Sequence, residues 1–238
     1  IRGFGADAVV VTSADQVFSL DLRPVVAEHL ERGVDCTLVT TETSRTRARE
    51  KVVVDLARDG RVRAVAVKPE QPTGTTVCAE VFVYRPEALT GTLSALRAEL
   101  APGAGGGSGL GDFGDHLLPR LVREGTVRTH PLPGYWADCG TPAAYLQAHR
   151  DLVAGRVDVF DHPGRPVLSR WPERPPARVD DGARVVDSWL APGAVVRGTV
   201  RRSVVGPGAV VARGAVVTDA VLFADVHVER DARATSAV

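Results

Sequence analysis

The chain has 238 residues, of which 44% are hydrophobic and 24% charged, and this length can bury a core in one large domain or two smaller ones. Acidic and basic residues balance at 29 each, so no net charge favours nucleic acid or an anionic membrane as a partner. No apolar run approaches the roughly 20 residues of a membrane helix. The three cysteines lie far apart, which disfavours a disulfide framework or a zinc site and favours a reducing cytoplasm.

Strand and helix signals alternate over the first two thirds of the chain. Asp59-Gly60 separates two of the apolar runs and predicts a hairpin turn. Short apolar runs predict buried strands at 8–12, 36–40, 52–55, 62–67 and 77–84. Prolines, capping side chains and a leucine stripe predict helices at 21–32, 89–100, from Asp112 as N-cap to about 124, and after Thr141-Pro142. The glycine-rich stretch 102–111 contains no Lys or Arg and is interpreted as a flexible loop. The mixture predicts an α/β sheet domain.

The hydrophobic pattern changes to a period of six residues from about Gly182, after a proline-rich stretch. A six-residue period with small residues at the turns is typical of a left-handed parallel β-helix. Two to three coils fit the remaining length, and a column this short needs cover from the proline-rich stretch or from the sheet domain. A few antiparallel strands joined by glycine turns are the alternative. The residues expected to point inward are Val204, Val210, Val216 and Leu222.

Five segments carry a likeness to one family. Residues 14–21 (ADQVFSLD) are similar to G-D-H-I-Y-x-x-D, Lys68-Pro69 to the end of F-x-E-K-P, and 112–114 to D-F-G. Residues 135–141 (YWADCGT) match Y-W-x-D-V-G-T, and 144–152 (AYLQAHRDL) are similar to x-Y-W-x-A-N-x-D-L. In this order the segments resemble the ADP-glucose pyrophosphorylases over nearly the whole chain.

The resemblance implies a domain organisation and an activity. The domains would be part of a Rossmann-like nucleotidyltransferase mixed sheet at 1–160, a proline-rich linker at 161–181 and a short left-handed β-helix at 182–238. The activity would join ATP and glucose 1-phosphate to ADP-glucose and release pyrophosphate, for glycogen or another α-glucan. A cytoplasmic homo-oligomer, a tetramer by family, is expected, with no nucleic-acid or membrane partner.

The attacking oxygen in such a reaction belongs to a phosphate and is already anionic, so no strong base is needed. The task is to bring two polyanions together and to stabilise charge, which Mg²⁺ held by one or two carboxylates does. By resemblance these carboxylates are Asp15 and Asp138, expected within roughly 8 Å of each other and facing one cleft with Lys68. For Asp15, a turn or a helix cap is the alternative role.

The resemblance also implies contacts with the substrate, and here the chain departs from the family pattern. Val67 stands where the family has Glu before the lysine, and Cys78 and Glu80 stand where it has Ser and Gly. Glu80 either replaces the carboxylate missing at 67 or blocks the pocket; for Lys68, a solvated strand end is the alternative. The residues expected at the substrate are Lys68, Cys78, Glu80, Tyr135 and Trp136.

The family's G-G-x-G-x-R-L loop, which cradles the triphosphate, has no counterpart in these residues. Because the chain starts at Ile1 and contains no methionine, we interpret it as part of a longer protein. This part alone is expected to make no detectable ADP-glucose.

Three functions compete. The first is the adenylyltransferase above; the second is a non-catalytic relative that binds sugar phosphate or nucleotide and regulates a catalytic partner, which the departures at 67, 78 and 80 favour. The third, a hexapeptide acyltransferase, would need a longer β-helix and a catalytic histidine, for which His227 is the sole candidate.

Overall fold

The computed structural model describes residues 3–100, 111–112, 114–157, 159–160, 164, 166–170 and 173–238. The chain forms two compact units. The first consists of Ile1–Ala14 and Leu20–Gly134, and the second of Asp15–Ser19 and Tyr135–Val238. The interpreted loop at 102–111, apart from Gly111, lies outside the described residues, as do Phe113 and His162. Across the described ranges, no helix combines the length and the apolar content that crossing a bilayer requires.

The elements before the β-helix follow the alternation expected from the sequence. In chain order they are β1 (Val9–Thr12), β2 (Gln16–Phe18), α1 (Leu22–Arg32), β3 (Cys36–Glu42), α2 (Arg45–Ala48), β4 (Val52–Leu56), β5 (Val62–Val67), β6 (Thr76–Tyr84), α3 (Pro86–Glu99), α4 (Leu117–Glu124), β7 (Val127–Pro131), β8 (Trp136–Asp138) and α5 (Pro142–Val153).

The first unit is built on a six-stranded mixed sheet. Its order is β5-β4-β6-β3-β7, and β1 pairs antiparallel with the C-terminal half of β6, Val81–Tyr84. Only β3 and β7 run parallel; the other pairs are antiparallel, including the β4–β5 hairpin, where Gly60 has a φ of +79°. α3 and α4 supply leucines to the same core as the sheet residues Leu38, Phe82 and Tyr84.

Local capping explains where the helices begin and end, with one correction. Asp21 caps α1 by accepting a hydrogen bond from the Arg23 N–H (3.0 Å), and Gly33, at φ +58°, ends the helix. Asp112 was expected to cap α4, and this is wrong. α4 begins at Leu117, so the N-cap position falls on His116, whose side chain makes no capping bond.

The second unit contains three parallel β-sheets that together form a coil, as the six-residue period predicts. Val195 pairs with Val210 and Val210 with His227, so successive coils are offset by 15 or 17 residues. The parallel pairing excludes the antiparallel alternative. The three faces are Arg178–Val179, Val195–Val196, Val210–Val211 and His227–Val228; Arg184–Val186, Thr199–Arg201, Val216–Thr218 and Arg233–Thr235; and Trp189–Leu190, Val204–Val205 and Val221–Leu222.

At three of the four predicted positions of the coil, the residue that points inward is the next one along the chain. Leu222 points inward as expected, but Val204, Val210 and Val216 do not belong to the buried column. Side chains alternate between the two faces of a strand, so only one valine of each Val-Val pair can point inward. The alanine two residues before fixes which one it is: Ala209 and Ala215 are buried together with Val211 and Val217.

The described end of the proline-rich stretch, at Arg174 and Pro175, packs against the coil. The Arg174 guanidinium forms two hydrogen bonds with the Asp225 carboxylate, at 2.8 and 2.9 Å. The Gly193 N–H donates to the Pro175 carbonyl oxygen at 2.6 Å. A Cβ on Gly208 would lie 1.8 Å from an Arg174 nitrogen, so this corner has space for the arginine only because it is glycine.

Candidate active site

The two aspartates predicted from distant segments lie together at one end of a short antiparallel ladder. β2 pairs with β8 so that Gln16 faces Asp138, and the Cys139 N–H donates to the Asp15 carbonyl oxygen at 2.8 Å. Asp15 directly precedes β2 and Asp138 ends β8. Because the ladder is antiparallel, these two positions are neighbours in space although more than a hundred residues separate them.

Gly140 defines how close the two carboxylates are. An ideal Cβ on this glycine would lie 3.0 Å from Asp138 Oδ1 and 3.3 Å from Asp15 Oδ2. The two oxygens therefore both lie beside a single point, which is within the separation expected from the sequence. The Gly140 N–H donates to Asp138 Oδ1 at 2.7 Å, and Gln16 Nε2 donates to Asp15 Oδ1 at 3.2 Å. Backbone and amide donors thus hold one oxygen of each carboxylate.

This arrangement suits a magnesium ion that completes its coordination elsewhere. Carboxylate oxygens are the ligands Mg²⁺ prefers, and it usually takes one or two of them together with phosphates and waters. Within the described ranges no group of three or more His, Cys, Asp or Glu side chains forms a metal cage. The space that a Cβ on Gly140 would fill lies against both carboxylates. The donor set and the space both fit the ion.

Tyr135 directly precedes β8, and Trp136 is the first residue of that strand, where it pairs with Phe18. The Tyr135 hydroxyl donates to Asp151 Oδ2 of α5 at 3.0 Å, and burial raises the pKa of this phenol. Burial alone would raise the pKa of Asp151, but hydrogen bonds from Gln147, Arg156 and Tyr135 outweigh it and hold that pKa below its usual value. Thr141 caps α5 as predicted, accepting from the Ala144 N–H. Tyr135 therefore ties the segment that carries Asp138 to the following helix.

Lys68 belongs to the first unit and has an unusual backbone. It follows β5 with a φ of +43°, in the left-handed region, and its N–H donates to the Lys51 carbonyl oxygen at 2.9 Å. Its side chain is exposed. A non-glycine residue in this region is strained by about 1–2 kcal/mol, and such strain is concentrated at functional sites. Val67, where the family has Glu, packs against Gly114, whose Cβ would lie 3.0 Å from Val67 Cγ2.

Cys78 and Glu80, the two residues of β6 that differ from the family pattern, have different surroundings. Cys78 is 1% exposed, and burial raises the pKa of its thiol to about 12, so it remains protonated and offers no open surface to a substrate. Glu80 is half-buried at φ +57°. It lies where β6 has extra residues opposite β3, and its carbonyl oxygen accepts from the Ser13 N–H. Glu80 thus occupies a bulge position whose left-handed backbone would favour glycine.

Three histidines, His29, His130 and His149, have ordinary structural surroundings. His29 is buried, shares a hydrogen bond with Thr37, and burial lowers its pKa. His130 contacts Glu28 at 2.5 Å, and His149 lies against the Tyr145 carbonyl oxygen at 2.9 Å.

Gly140 is the residue of this site that the sequence reasoning overlooked. Its signal was present in the Asp-x-Gly spacing of residues 138–140, where a residue without a side chain follows a candidate ligand. Its space and its N–H became visible only when the β2–β8 ladder placed Asp15 beside it.

Comparison with known families identifies both parts of the fold. Residues 2–155 match the family described as Nucleotidyl transferase. The chain belongs to this nucleotidyl transferase family. Residues 175–238 match a second family, described as GlmU-like, C-terminal hexapeptide, in agreement with the parallel coils. The family resemblance and the fold class inferred from the sequence are thereby confirmed.

Curated relatives named glucose-1-phosphate adenylyltransferase are similar to most of this nucleotidyl transferase chain. The protein of Thermomicrobium roseum is 33% identical over 190 residues, which are 79% of this chain and 42% of the relative. That of Frankia casuarinae is 32% identical over 273 aligned residues, covering 95% of this chain and 64% of the relative. That of Streptomyces avermitilis is 32% identical over 224 residues, covering 88% and 55%. The chain thus spans about half the length of these relatives.

Proposed function

We propose that this chain is part of a glucose-1-phosphate adenylyltransferase, which forms ADP-glucose and pyrophosphate from ATP and glucose 1-phosphate for glycogen or another α-glucan. The observation that carries the proposal is the meeting of Asp15 and Asp138 beside Gly140. The names of the similar proteins support the substrates. A cytoplasmic homo-oligomer, a tetramer by family, is part of the same proposal.

Asp15 and Asp138 are proposed to hold Mg²⁺. When bound, the ion offsets the negative charge that builds up around the α-phosphate and its leaving pyrophosphate. The chain's own contribution is positional. The Gly140 N–H and the Gln16 amide each hold one carboxylate oxygen, so the carboxylates need little rearrangement on binding. No general base is assigned, because the attacking phosphate oxygen is already anionic.

Lys68 is proposed to bind the phosphate of glucose 1-phosphate as a point charge on a flexible side chain. Its exposure and its left-handed backbone support this role. Tyr135 and Trp136 are proposed to form the pocket wall beside the carboxylates. Glu80 is proposed to supply a carboxylate to the sugar in place of the one missing at Val67, whereas the buried Cys78 contributes only through packing.

The second candidate is a non-catalytic relative that binds sugar phosphate or nucleotide and regulates a catalytic partner. The observation that favours it is Val67, which fills the position of the family's sugar-binding Glu with an apolar side chain packed on Gly114. Such a protein would bind glucose 1-phosphate without converting it.

The decisive experiment measures pyrophosphate release from ATP and glucose 1-phosphate by the product of the whole gene in which these residues lie. We expect Mg²⁺-dependent turnover that Asp138→Asn lowers by about 10²-fold or more. The exposed Asp7 provides the matched control, and Asp7→Asn should leave the rate unchanged. Glucose 1-phosphate binding by calorimetry without pyrophosphate release would contradict the enzyme and support the regulatory relative.

A further inference from the structure

Gly140 is a glycine whose backbone does not require glycine. Glycines with left-handed φ values occur elsewhere in the described chain, and Gly140 is not among them. Any residue could therefore adopt its backbone conformation. The reason for a glycine here has to be sought in the space around its Cα.

That space is bounded by the candidate ligands. A Cβ on Gly140 would meet Asp138 Oδ1 at 3.0 Å, Asp15 Oδ2 at 3.3 Å and Asp138 Cγ at 4.0 Å. The glycines of the coil differ, because a Cβ on Gly198 or Gly206 would collide with backbone atoms of the next coil. Those two glycines permit close packing of the main chain. Gly140 leaves room for two carboxylate oxygens.

The backbone of Gly140 also takes part. Its N–H donates to Asp138 Oδ1 at 2.7 Å, the same oxygen that its missing side chain would approach. A hydrogen bond to one oxygen of a carboxylate fixes the rotation of that carboxylate, and donors of this kind orient metal ligands.

We infer that Gly140 is a positioning residue of the divalent-cation site: its N–H orients Asp138, and its missing side chain keeps Asp15 and Asp138 close enough to share one hydrated ion. The inference rests on the proposed function, because it concerns the cation held by the same two aspartates. Gly140 would act through the two carboxylates that hold the ion.

The expected effect of a side chain here follows from the strictness of magnesium coordination. Mg²⁺ requires ligand distances of about 2.0–2.1 Å in near-octahedral geometry and retains several waters. A methyl group on Gly140 would displace both carboxylate oxygens by a few tenths of an ångström and take room beside them. Changes to groups that orient metal ligands typically lower metal affinity by about 10–100-fold.

The test measures Mn²⁺ binding to the 238-residue chain by the loss of the free Mn²⁺ signal in electron paramagnetic resonance. We expect the Kd for Mn²⁺ to rise about 10-fold or more in Gly140→Ala. The matched control is Gly74→Ala, since Gly74 has no left-handed φ and a Cβ there would meet no atom within 4 Å. Asp138→Asn serves as the reference for loss of a ligand. Thermal midpoints of all four proteins separate loss of the site from loss of the fold.

The outcomes separate this inference from the proposed function. If Asp138→Asn loses Mn²⁺ but Gly140→Ala binds as the parent chain does, Gly140 has no positioning role and the metal site stands. If the parent chain binds no Mn²⁺ at millimolar concentration, this inference fails, and pyrophosphate release by the whole gene product decides the proposed function separately.

A second measurement needs no substitution. Titration of the parent chain with Mg²⁺ should shift the amide resonance of Gly140 in nuclear magnetic resonance spectra and leave that of Gly74 in place. An unmoved Gly140 resonance at saturating Mg²⁺ would overturn the inference even if Gly140→Ala failed to fold.

Discussion

In the β-helix, non-glycine residues adopt left-handed backbone conformations at the same corner of successive coils. In the first unit, called the sheet unit below, they adopt this conformation only at isolated positions within the described residues. Asp187, Arg202, Asp219 and Ser236 have φ values of 44–51°, and each directly follows a strand of the same face. In the sheet unit the left-handed non-glycine residues within the described ranges are Lys68 and Glu80.

The difference shows two ways of tolerating the same strain. At the coil corner, Arg202 forms two hydrogen bonds with Asp219 of the next coil, at 2.8 and 2.6 Å, so side chains at strained positions stabilise one another. The Lys68 side chain forms no hydrogen bond or ion pair within the described residues. Repetition explains the corner residues structurally, and Lys68 is left with the functional explanation that its proposed role provides.

The largest expected effect concerns the column of the coil. Val205 is fully buried, whereas Val204 is half-buried and outside the column. Val205→Asp would bury a carboxylate without a partner and should destabilise the second unit by about 4 kcal/mol or more, with loss of its cooperative unfolding transition. Val204→Asp should cost far less. Far-UV circular dichroism during urea unfolding measures both, and a larger loss of stability in Val204→Asp than in Val205→Asp would mean that the column lies on the other face.

A smaller effect is expected at Asp35 of the sheet unit, and it depends on pH. Its carboxylate accepts from the Thr126 N–H (2.7 Å) and hydroxyl (2.8 Å) and pairs with Arg85. Burial alone would raise the pKa of Asp35, but these bonds outweigh it and lower that pKa. The stabilisation is therefore fully present above the unfolded pKa of about 3.9 and is lost as the pH falls through the lower, folded value.

The measurement compares the free energy of unfolding of the parent chain and Asp35→Asn between pH 7 and pH 2. We expect a difference of about 2 kcal/mol at pH 7 that shrinks below about pH 4. Asp219→Asn in the coil sharpens the comparison. Its pKa is also lowered, chiefly by the hydrogen bond from Arg202, but both partners are more exposed, so the difference should be smaller. A pH-independent difference at Asp35 would show that packing, not charge, is responsible.

The sequence predicted features that short-range chemistry determines. Asp21 and Gly33 bound α1, Asp59-Gly60 turns the β4–β5 hairpin, and Thr141 caps α5, because each signal acts within a few residues. The coil was predictable from its period, but a Val-Val pair does not say which valine points inward. That choice depends on packing across coils.

The candidate site depended on a contact that no local pattern contains. The β2–β8 ladder joins three residues to three others more than a hundred positions away, so only the resemblance brought Asp15 and Asp138 together in advance. The Asp112 cap failed for the opposite reason: a sound local signal lost to the packing of α4 leucines, which starts that helix at Leu117.

The smallest effect tests why Lys68 is a lysine. Lys68→Gly should relieve the left-handed strain, although glycine also loses more conformational entropy on folding than lysine does. The two effects together should stabilise the sheet unit by about 1 kcal/mol. Lys68→Ala keeps the strain and should give no such gain. Both remove the charge, so both should weaken binding of glucose 1-phosphate, measured by calorimetry on the whole gene product, to a similar extent.

Asp219→Gly in the coil is the control. It relieves the same strain but breaks the pair with Arg202, so it should gain less stability. A stabilising Lys68→Gly that binds glucose 1-phosphate as well as the parent would remove the functional reason for the strain, because a residue that costs stability without serving binding has no advantage over glycine.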